Sequence, residues 1–480
     1  MPIHRLLSTL VLLLISVPVA AQDLALIGGR VMDPETGLDA VRNVVIDDGR
    51  IVAITTELPS ADKVIDVDGL VVAPGFVDLH AHGQDMTSNR FQVADGVTTA
   101  MDLEIGKYPV AEWYESRKGK ALIHYGATVA HVVARYAAVE GGVEMGVEQF
   151  STEAFAAESA RQPVTGAQLE RTLALLEEGL REGALGVGFG ITYTPGASHA
   201  EIFAAFGKTA SLDAPVFVHM RASSRMGGDK LAPIQEVIAN AAATGAALHI
   251  VHINSSTNED AKPAIALIRA ARDRGVDVST ESYPYTAGST LIESALFDDW
   301  AGDYANLQWA ATGERLNEES FHRYRKEGGW VIIHGRKEET NEWIVAQPDL
   351  IVASDGITFK EGPAHPRGAG CYARILGHYV RDRGALDLMT ALSKMTLQPA
   401  QRLEGIAPQM KQKGRVQVGA DADLTIFDPA KVRSRATYSD SMQTSEGIQY
   451  VLVGGTPVVQ SGELVEGITP GQPIYGRLRE

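Results

Sequence analysis

Cysteine is almost missing from this 480-residue chain: Cys371 stands alone, so an intrachain disulfide and any cysteine-rich metal site are excluded. Basic clusters are missing too. With 43 Lys and Arg against 60 Asp and Glu, the formal net charge is -17, and no basic face is available to grip nucleic-acid phosphates. Acidity of this size mainly favours solubility. Internal repeats and low-complexity tracts are absent, which excludes solenoid and fibrous architectures. No apolar run reaches the roughly 20 residues that a membrane-spanning helix needs. The run Leu10–Val17 falls short of that length, follows Arg5 and ends in Val19-Ala20-Ala21, the pattern of a signal peptide. Residues 1–21 are therefore expected to be removed, leaving a secreted or periplasmic protein that begins near Gln22 and has no membrane span.

What remains is long enough for one large core with a smaller satellite. From Leu24 to Val72 short β-branched runs alternate with turns, and Asp48-Gly49 between Val44-Val45-Ile46-Asp47 and Arg50-Ile51-Val52 is a hairpin signal. Strand-like apolar runs then alternate with helical patterns. The stretch Ala167–Glu182, with Leu169, Leu173, Leu176 and Leu180, predicts an amphipathic helix stopped by Gly183. Eight candidate strands lie near Gly75–His82, Thr98–Glu104, Leu122–Val129, Ala184–Gly190, Pro215–His219, Ala247–His252, Val276–Tyr283 and Leu350–Asp355. Eight strands alternating with helices predict an α/β protein with a closed (β/α)8 TIM barrel. β patterns return in Arg415–Gly419, Leu424–Asp428 and Tyr450–Gly455, so residues 22–73 and 400–480 are expected to form one small β-sandwich beside a barrel of residues 74–399. Leu291–Trp330 is long enough to cover the barrel mouth.

The chemistry-bearing residues fall at strand ends. His80 and His82, two apart after Phe76-Val77-Asp78-Leu79, point to the same side and suit zinc. His219 and His252 close two further strands, and the C-terminal ends of barrel strands are where such folds build active sites. His249, three residues before His252, is expected by parity to face the other way and pack against a helix. Asp355, after Ile351-Val352-Ala353-Ser354, can hold metal and move a proton between water and a leaving nitrogen. A Ser-Asp-Gly is ordinarily a turn, but here it is the fourth member of a convergent set. On the second strand Asp102 and Glu104 face one side, so one of them should reach the site; Glu104, nearer the strand end, is the better candidate to bridge two metals, and the alternative is that one of the two merely accepts a hydrogen bond from a ligand histidine.

Taken together, these residues resemble the amidohydrolase superfamily, and within it the N-acyl-D-amino-acid deacylases. The likeness extends through Gly183-Ala184-Leu185-Gly186, Ile191-Thr192-Tyr193-Thr194-Pro195-Gly196, His219-Met220-Arg221, Tyr283-Pro284-Tyr285 with Ser289-Thr290, His365-Pro366-Arg367 with Arg374-Ile375-Leu376-Gly377, and Gly419-Ala420-Asp421-Ala422-Asp423. It implies one or two zinc ions on His80, His82, Glu104, His219, His252 and Asp355, with Asp355 as acid/base. It also implies Tyr193 at the oxyanion, and Arg374, Tyr283 and Ser289 on the carboxylate of a small N-acyl amino acid, the D enantiomer by resemblance. Two departures stand out. The deacylases resemble one another in a second-strand cysteine ligand, for which Glu104 is the nearest substitute here, and Ile253-Asn254 stand where they carry a substrate-binding lysine. Ala184–Thr194 lacks the lysine that hydantoinase-like and dihydroorotase-like relatives carboxylate, which counts against the alternative of a cyclic-amide hydrolase. A dipeptidase is the nearest rival reading, since a dipeptide offers the same amide and carboxylate; a non-catalytic binding protein on the same fold is the rival from another class.

Overall fold

The computed structural model describes residues 22–141, 152–223, 228–298 and 300–480. Residues 1–21, read above as a signal peptide, lie outside them. Among the described residues no helix is long and apolar enough to cross a membrane.

An eight-stranded parallel sheet forms the centre, from Phe76–Asp78 through Val97–Lys107, His124–Ala130, Val187–Gly190, Val216–His219, Leu248–Ile250 and Val278–Ser282 to Ile351–Val352. The first and last strands meet through the parallel bridge Ala81↔Gly356, which closes the sheet into a barrel. The strands are buried along nearly their whole length, as a sheet wrapped by helices requires. Each of the eight predicted strands is present, shorter than its apolar run in most cases because the flanking residues serve as loops into the mouth.

Helix Ala167–Arg181 buries Thr172, Leu175, Leu176, Gly179 and Leu180, whereas Leu169 and Leu173 are only half-buried. The inward stripe is thus rotated from the leucine spacing. Gly179 explains the rotation: a side-chain carbon there would sit 2.5 Å from Val129, so the helix rests on the third strand at its glycine.

The terminal segments pair, as expected, into one unit beside the barrel, a mixed sheet of nine strands. Val71–Pro74 pairs with Leu424–Phe427, joining chain segments some 350 residues apart in sequence. Asp48 and Gly49, at φ 47° and 71°, make the tight hairpin between Leu38–Asp47 and Arg50–Thr55. Asp423 fastens this sheet to the barrel. Its buried carboxylate accepts from His124 at 3.0 Å, Lys413 at 2.6 Å and the Gly454 amide at 2.7 Å. Burial pushes its pKa up, but His124 and Lys413 hold it well below the usual carboxylate range.

Residues after the seventh strand leave the barrel as a three-stranded antiparallel unit, Gly288–Leu291, Trp330–Ile333 and Leu307–Trp309, with helix Glu318–Glu327. Ile292, Phe297, Leu307, Phe321 and Val331 give it a core of its own. It stands beside the barrel mouth, where Trp300, Asn306 and Trp330 line the central cavity.

Candidate metal centre and substrate cavity

Four histidines and two acids converge where the strands end. His80 and His82 follow the first strand, Glu104 lies on the second, His219 ends the fifth, and His252 and Asp355 stand just beyond the sixth and eighth. His252 and Asp355 take left-handed backbone angles, φ 31° and 52°, conformations that cost non-glycine residues free energy and tend to persist at functional sites.

Glu104 is the centre of the cluster. Its Oε2 lies 3.1 Å from His80 Nε2 and 3.0 Å from His82 Nε2, while Oε1 lies 2.6 Å from His219 Nδ1 and 3.0 Å from His252 Nε2. One carboxylate thus faces two imidazole pairs. Asp355 Oδ1 completes the first pair, 3.4 Å from His80 and 3.7 Å from His82. The donor atoms of His80, His82, Glu104 and Asp355 all lie within 4.8 Å of one another, as do those of Glu104, His219 and His252. These are two candidate sets of metal donors sharing Glu104.

Asp102 takes the other role open to the second-strand acids. Its Oδ1 is 3.1 Å from His82 Nδ1 and its Oδ2 2.7 Å from Lys107. Glu281 performs the same service for His80, with Oε1 2.6 Å from Nδ1. Behind it, Glu281 Oε2 lies 2.9 Å from His249 Nε2, and His249 Nδ1 lies 2.7 Å from Ser279 Oγ. The expectation that His249 packs against a helix is therefore corrected. Strand parity does not separate it from His252, because the strand ends at Ile250 and the left-handed turn at His252 resets the direction. Ser255 Oγ, 3.1 Å from His252 Nδ1, fixes the fourth imidazole.

The charge balance fits a cation. Burial lowers the pKa of His80 and His82, yet Asp355, Glu104 and Glu281 raise His80 well above its ordinary value, and Asp102 and Glu104 bring His82 to about 9. So many buried carboxylates demand positive charge, and divalent metal satisfies that demand with neutral imidazoles. Nitrogen and oxygen donors suit zinc.

The cluster opens into a cavity of about 600 Å³. Tyr193 stands at its wall, its hydroxyl accepting from Thr290 at 3.0 Å, which leaves the phenolic hydrogen free to donate. Burial first, then Glu104, raises its pKa and keeps it neutral. Tyr283 and Ser289 also line the cavity, Ser289 Oγ donating to the Val331 carbonyl at 2.9 Å.

Arg374 does not join them. Its Nε donates to the Pro284 carbonyl at 2.6 Å and its guanidinium covers Tyr285, with Glu338 at 3.7 Å, outside the residues that line the cavity. The arginine that does reach the site is Arg367 of His365-Pro366-Arg367. It is buried, 2.7 Å from Asp355 Oδ2, with its guanidinium 4.7 Å from the centre of the Tyr283 ring. Glu281 and Lys107 escaped the sequence reading as well. The signal for Glu281 was present: an acid inside the buried strand Val278–Ser282 needs a partner. Asn254 turns from the cavity to the Tyr283 carbonyl and Asn341. Cys371 is buried and donates to the Ala353 carbonyl, away from the cavity.

A closed parallel barrel with paired histidine sites and a bridging carboxylate defines a metal-dependent hydrolase. Residues 63–459, well over half of the chain, match the amidohydrolase family, and the chain belongs to it. It is similar to the N-acyl-D-glutamate deacylase of Alcaligenes xylosoxydans xylosoxydans, 30% identical with 91% of this chain and 93% of that protein covered. It is likewise similar to the D-aminoacylase of the same organism, 29% identical over 91% and 94%. Among solved structures, an N-acyl-D-glutamate deacylase from Bordetella bronchiseptica, complexed with zinc and a phosphonate inhibitor, superposes with a TM-score of 0.81 at 24% identity, covering 95% of this chain and all of that one. A D-aminoacylase superposes with a TM-score of 0.79 at 25% identity and the same coverage. The protein is thus a metal-dependent amidohydrolase of the D-aminoacylase type of fold.

Proposed function

We propose that this enzyme hydrolyses the linear amide bond of N-acyl-D-amino acids with zinc as its metal. The observation that carries the reading is the placement of Arg367 and Tyr283 beside Asp355, so that a carboxylate binder stands one short step from the proton-transfer group. In an N-acyl amino acid the carboxylate is attached through the α-carbon to the scissile nitrogen, which matches that spacing. The D preference is drawn from the relatives named above.

When bound at these donors, zinc supplies a Lewis acid that lowers the pKa of water and polarises the amide carbonyl. Asp355 accepts the proton of the attacking water and returns it to the leaving nitrogen. Tyr193 donates to the developing oxyanion, a preorganised contact that gains strength as charge forms. Arg367, with Tyr283 and Ser289, holds the substrate carboxylate, which shares the guanidinium with Asp355 and the Ser289 carbonyl. Asp102 and Glu281 keep His82 and His80 oriented.

A dipeptide fits less well. Its free ammonium would enter a cavity lined by Arg221, Lys230, Arg336 and Arg367. Export of the enzyme is supported by the apolar run Leu10–Val17 and its small-residue end, and N-terminal sequencing of the secreted protein, starting near Gln22, tests it.

The decisive experiment assays N-acetyl-D-amino acids, N-acetyl-L-amino acids and dipeptides with zinc-loaded enzyme of measured metal content. Turnover confined to the N-acetyl-D series is expected. Turnover of dipeptides alone would move the enzyme to the peptidases.

A further inference from the structure

Beyond the metal donors, the cavity wall is positive. Arg221, Lys230, Arg336 and Arg367 reach it, whereas the carboxylates that line it are Glu104 and Asp355. Arg221 is neutralised by Glu236, at 2.9 and 3.0 Å, and Arg367 faces Asp355. Lys230 donates to Ser223 Oγ at 2.8 Å.

Arg336 is held differently. Its Nη2 donates to the Tyr283 hydroxyl at 3.0 Å and the Tyr285 carbonyl at 3.1 Å, both neutral. Its Nε is buried with no hydrogen-bond partner, and no carboxylate among the described residues pairs with the group. A half-buried guanidinium without counter-charge is costly, and two neutral anchors fix its direction without satisfying its charge. The space before it is kept clear at Gly288, where a first side-chain carbon would lie 3.5 Å from Arg336 Nη1 and 3.4 Å from the Tyr283 hydroxyl.

The Tyr283 ring carries both guanidinium groups, Arg367 at 4.7 Å and Arg336 at 5.2 Å from its centre. Arg367, beside Asp355, is placed for the carboxylate next to the scissile nitrogen. Arg336 is then a second anion socket. Resting on the deacylase reading, we infer that Arg336 is a specificity-determining residue, selecting substrates whose amino-acid side chain bears its own carboxylate, as in N-acyl-D-glutamate or N-acyl-D-aspartate.

The test compares kcat/KM for N-acetyl-D-glutamate, its neutral near-isostere N-acetyl-D-glutamine and N-succinyl-D-leucine, whose second carboxylate lies on the acyl side. Zinc-loaded native enzyme is expected to prefer glutamate over glutamine by about tenfold or more, in line with a charged hydrogen bond of roughly 1.5–3 kcal/mol. In Arg336→Met that ratio should fall to near one, and Arg336→Lys should restore part of it. A native ratio near one overturns the inference whether or not the variants fold. So does a ratio unchanged in Arg336→Met, an equal loss on all three substrates, or preference for the succinyl compound. If no amide in the panel is turned over, the deacylase reading fails instead; calorimetric binding of the glutamate and glutamine compounds still reads Arg336, with equal affinities overturning the inference.

Discussion

His80 Nδ1 lies 2.6 Å from Glu281 Oε1, and this contact settles which ring nitrogen turns to the cavity. A carboxylate on Nδ1 holds that nitrogen protonated and leaves the Nε2 lone pair, on the side of Glu104 and Asp355, free to hold a metal ion. Glu281→Gln keeps an acceptor but removes the charge, and Glu281→Ala removes both. Zinc affinity should fall by about 10-fold in the first and about 100-fold in the second, measured by competition with a chelator. Equal affinity in all three proteins would show that Glu281 serves the fold alone.

Glu104 and Asp102 share a strand face but differ in depth, and their variants should separate cleanly. Glu104 touches all four imidazoles, so Glu104→Ala should lose at least one equivalent of metal and lower turnover by ~10²-fold or more. Asp102→Asn should keep the full stoichiometry at about 10-fold weaker affinity, because among the four imidazoles it touches His82 and is not itself a member of the donor sets. Metal analysis of dialysed protein reads the difference. A full complement in Glu104→Ala would contradict the bridging position.

The barrel and the convergence of the histidines were legible because both are local signals: apolar runs spaced by helices, and histidines at the ends of those runs. Glu104 was readable for the same reason, as an acid near a strand end. What escaped depended on contacts between distant segments. His249 was misdirected by a parity rule that holds only while the strand continues, and His252 has already left it. Arg374 and Arg367 both sit on helix Arg367–Arg374, and only the packing of that helix decides that Arg367 points to the mouth while Arg374 covers Tyr285. The nine-stranded terminal sheet depends on pairing across some 350 residues, which local patterns suggest but cannot register.

Those two arginines give a contrast of function against stability. Arg367→Ala should raise KM for N-acyl amino acids by at least tenfold, since it removes the group placed for the carboxylate. Arg374→Ala should act on the fold, costing about 1–2 kcal/mol through the lost hydrogen bond to the Pro284 carbonyl and the ring contact. Its half-exposed partner Glu338, at 3.7 Å, adds little. Paired kinetics and denaturant melts check both; the reverse pattern would restore Arg374 to the substrate.

A last prediction concerns pH and stability. Lys394, on helix Leu388–Met395, is fully buried and donates to the Val345 carbonyl at 2.6 Å and to that of Gln347, just before the eighth barrel strand. Burial lowers its pKa to about 7, against an ordinary value of about 10.4 in the unfolded chain. Between those values the unfolded chain binds the extra proton, so unfolding becomes harder as pH rises from about 7 toward 10, and the full cost of the buried charge is felt below 7. Lys394→Met removes this titration. The stability of the native protein relative to the variant should therefore climb over that window, with a slope approaching ~1.4 kcal/mol per pH unit in its middle, and be flat below pH 6. Denaturant unfolding of both proteins at five or six pH values gives the difference directly. Parallel curves would mean that the two carbonyls hold the ammonium charged despite its burial.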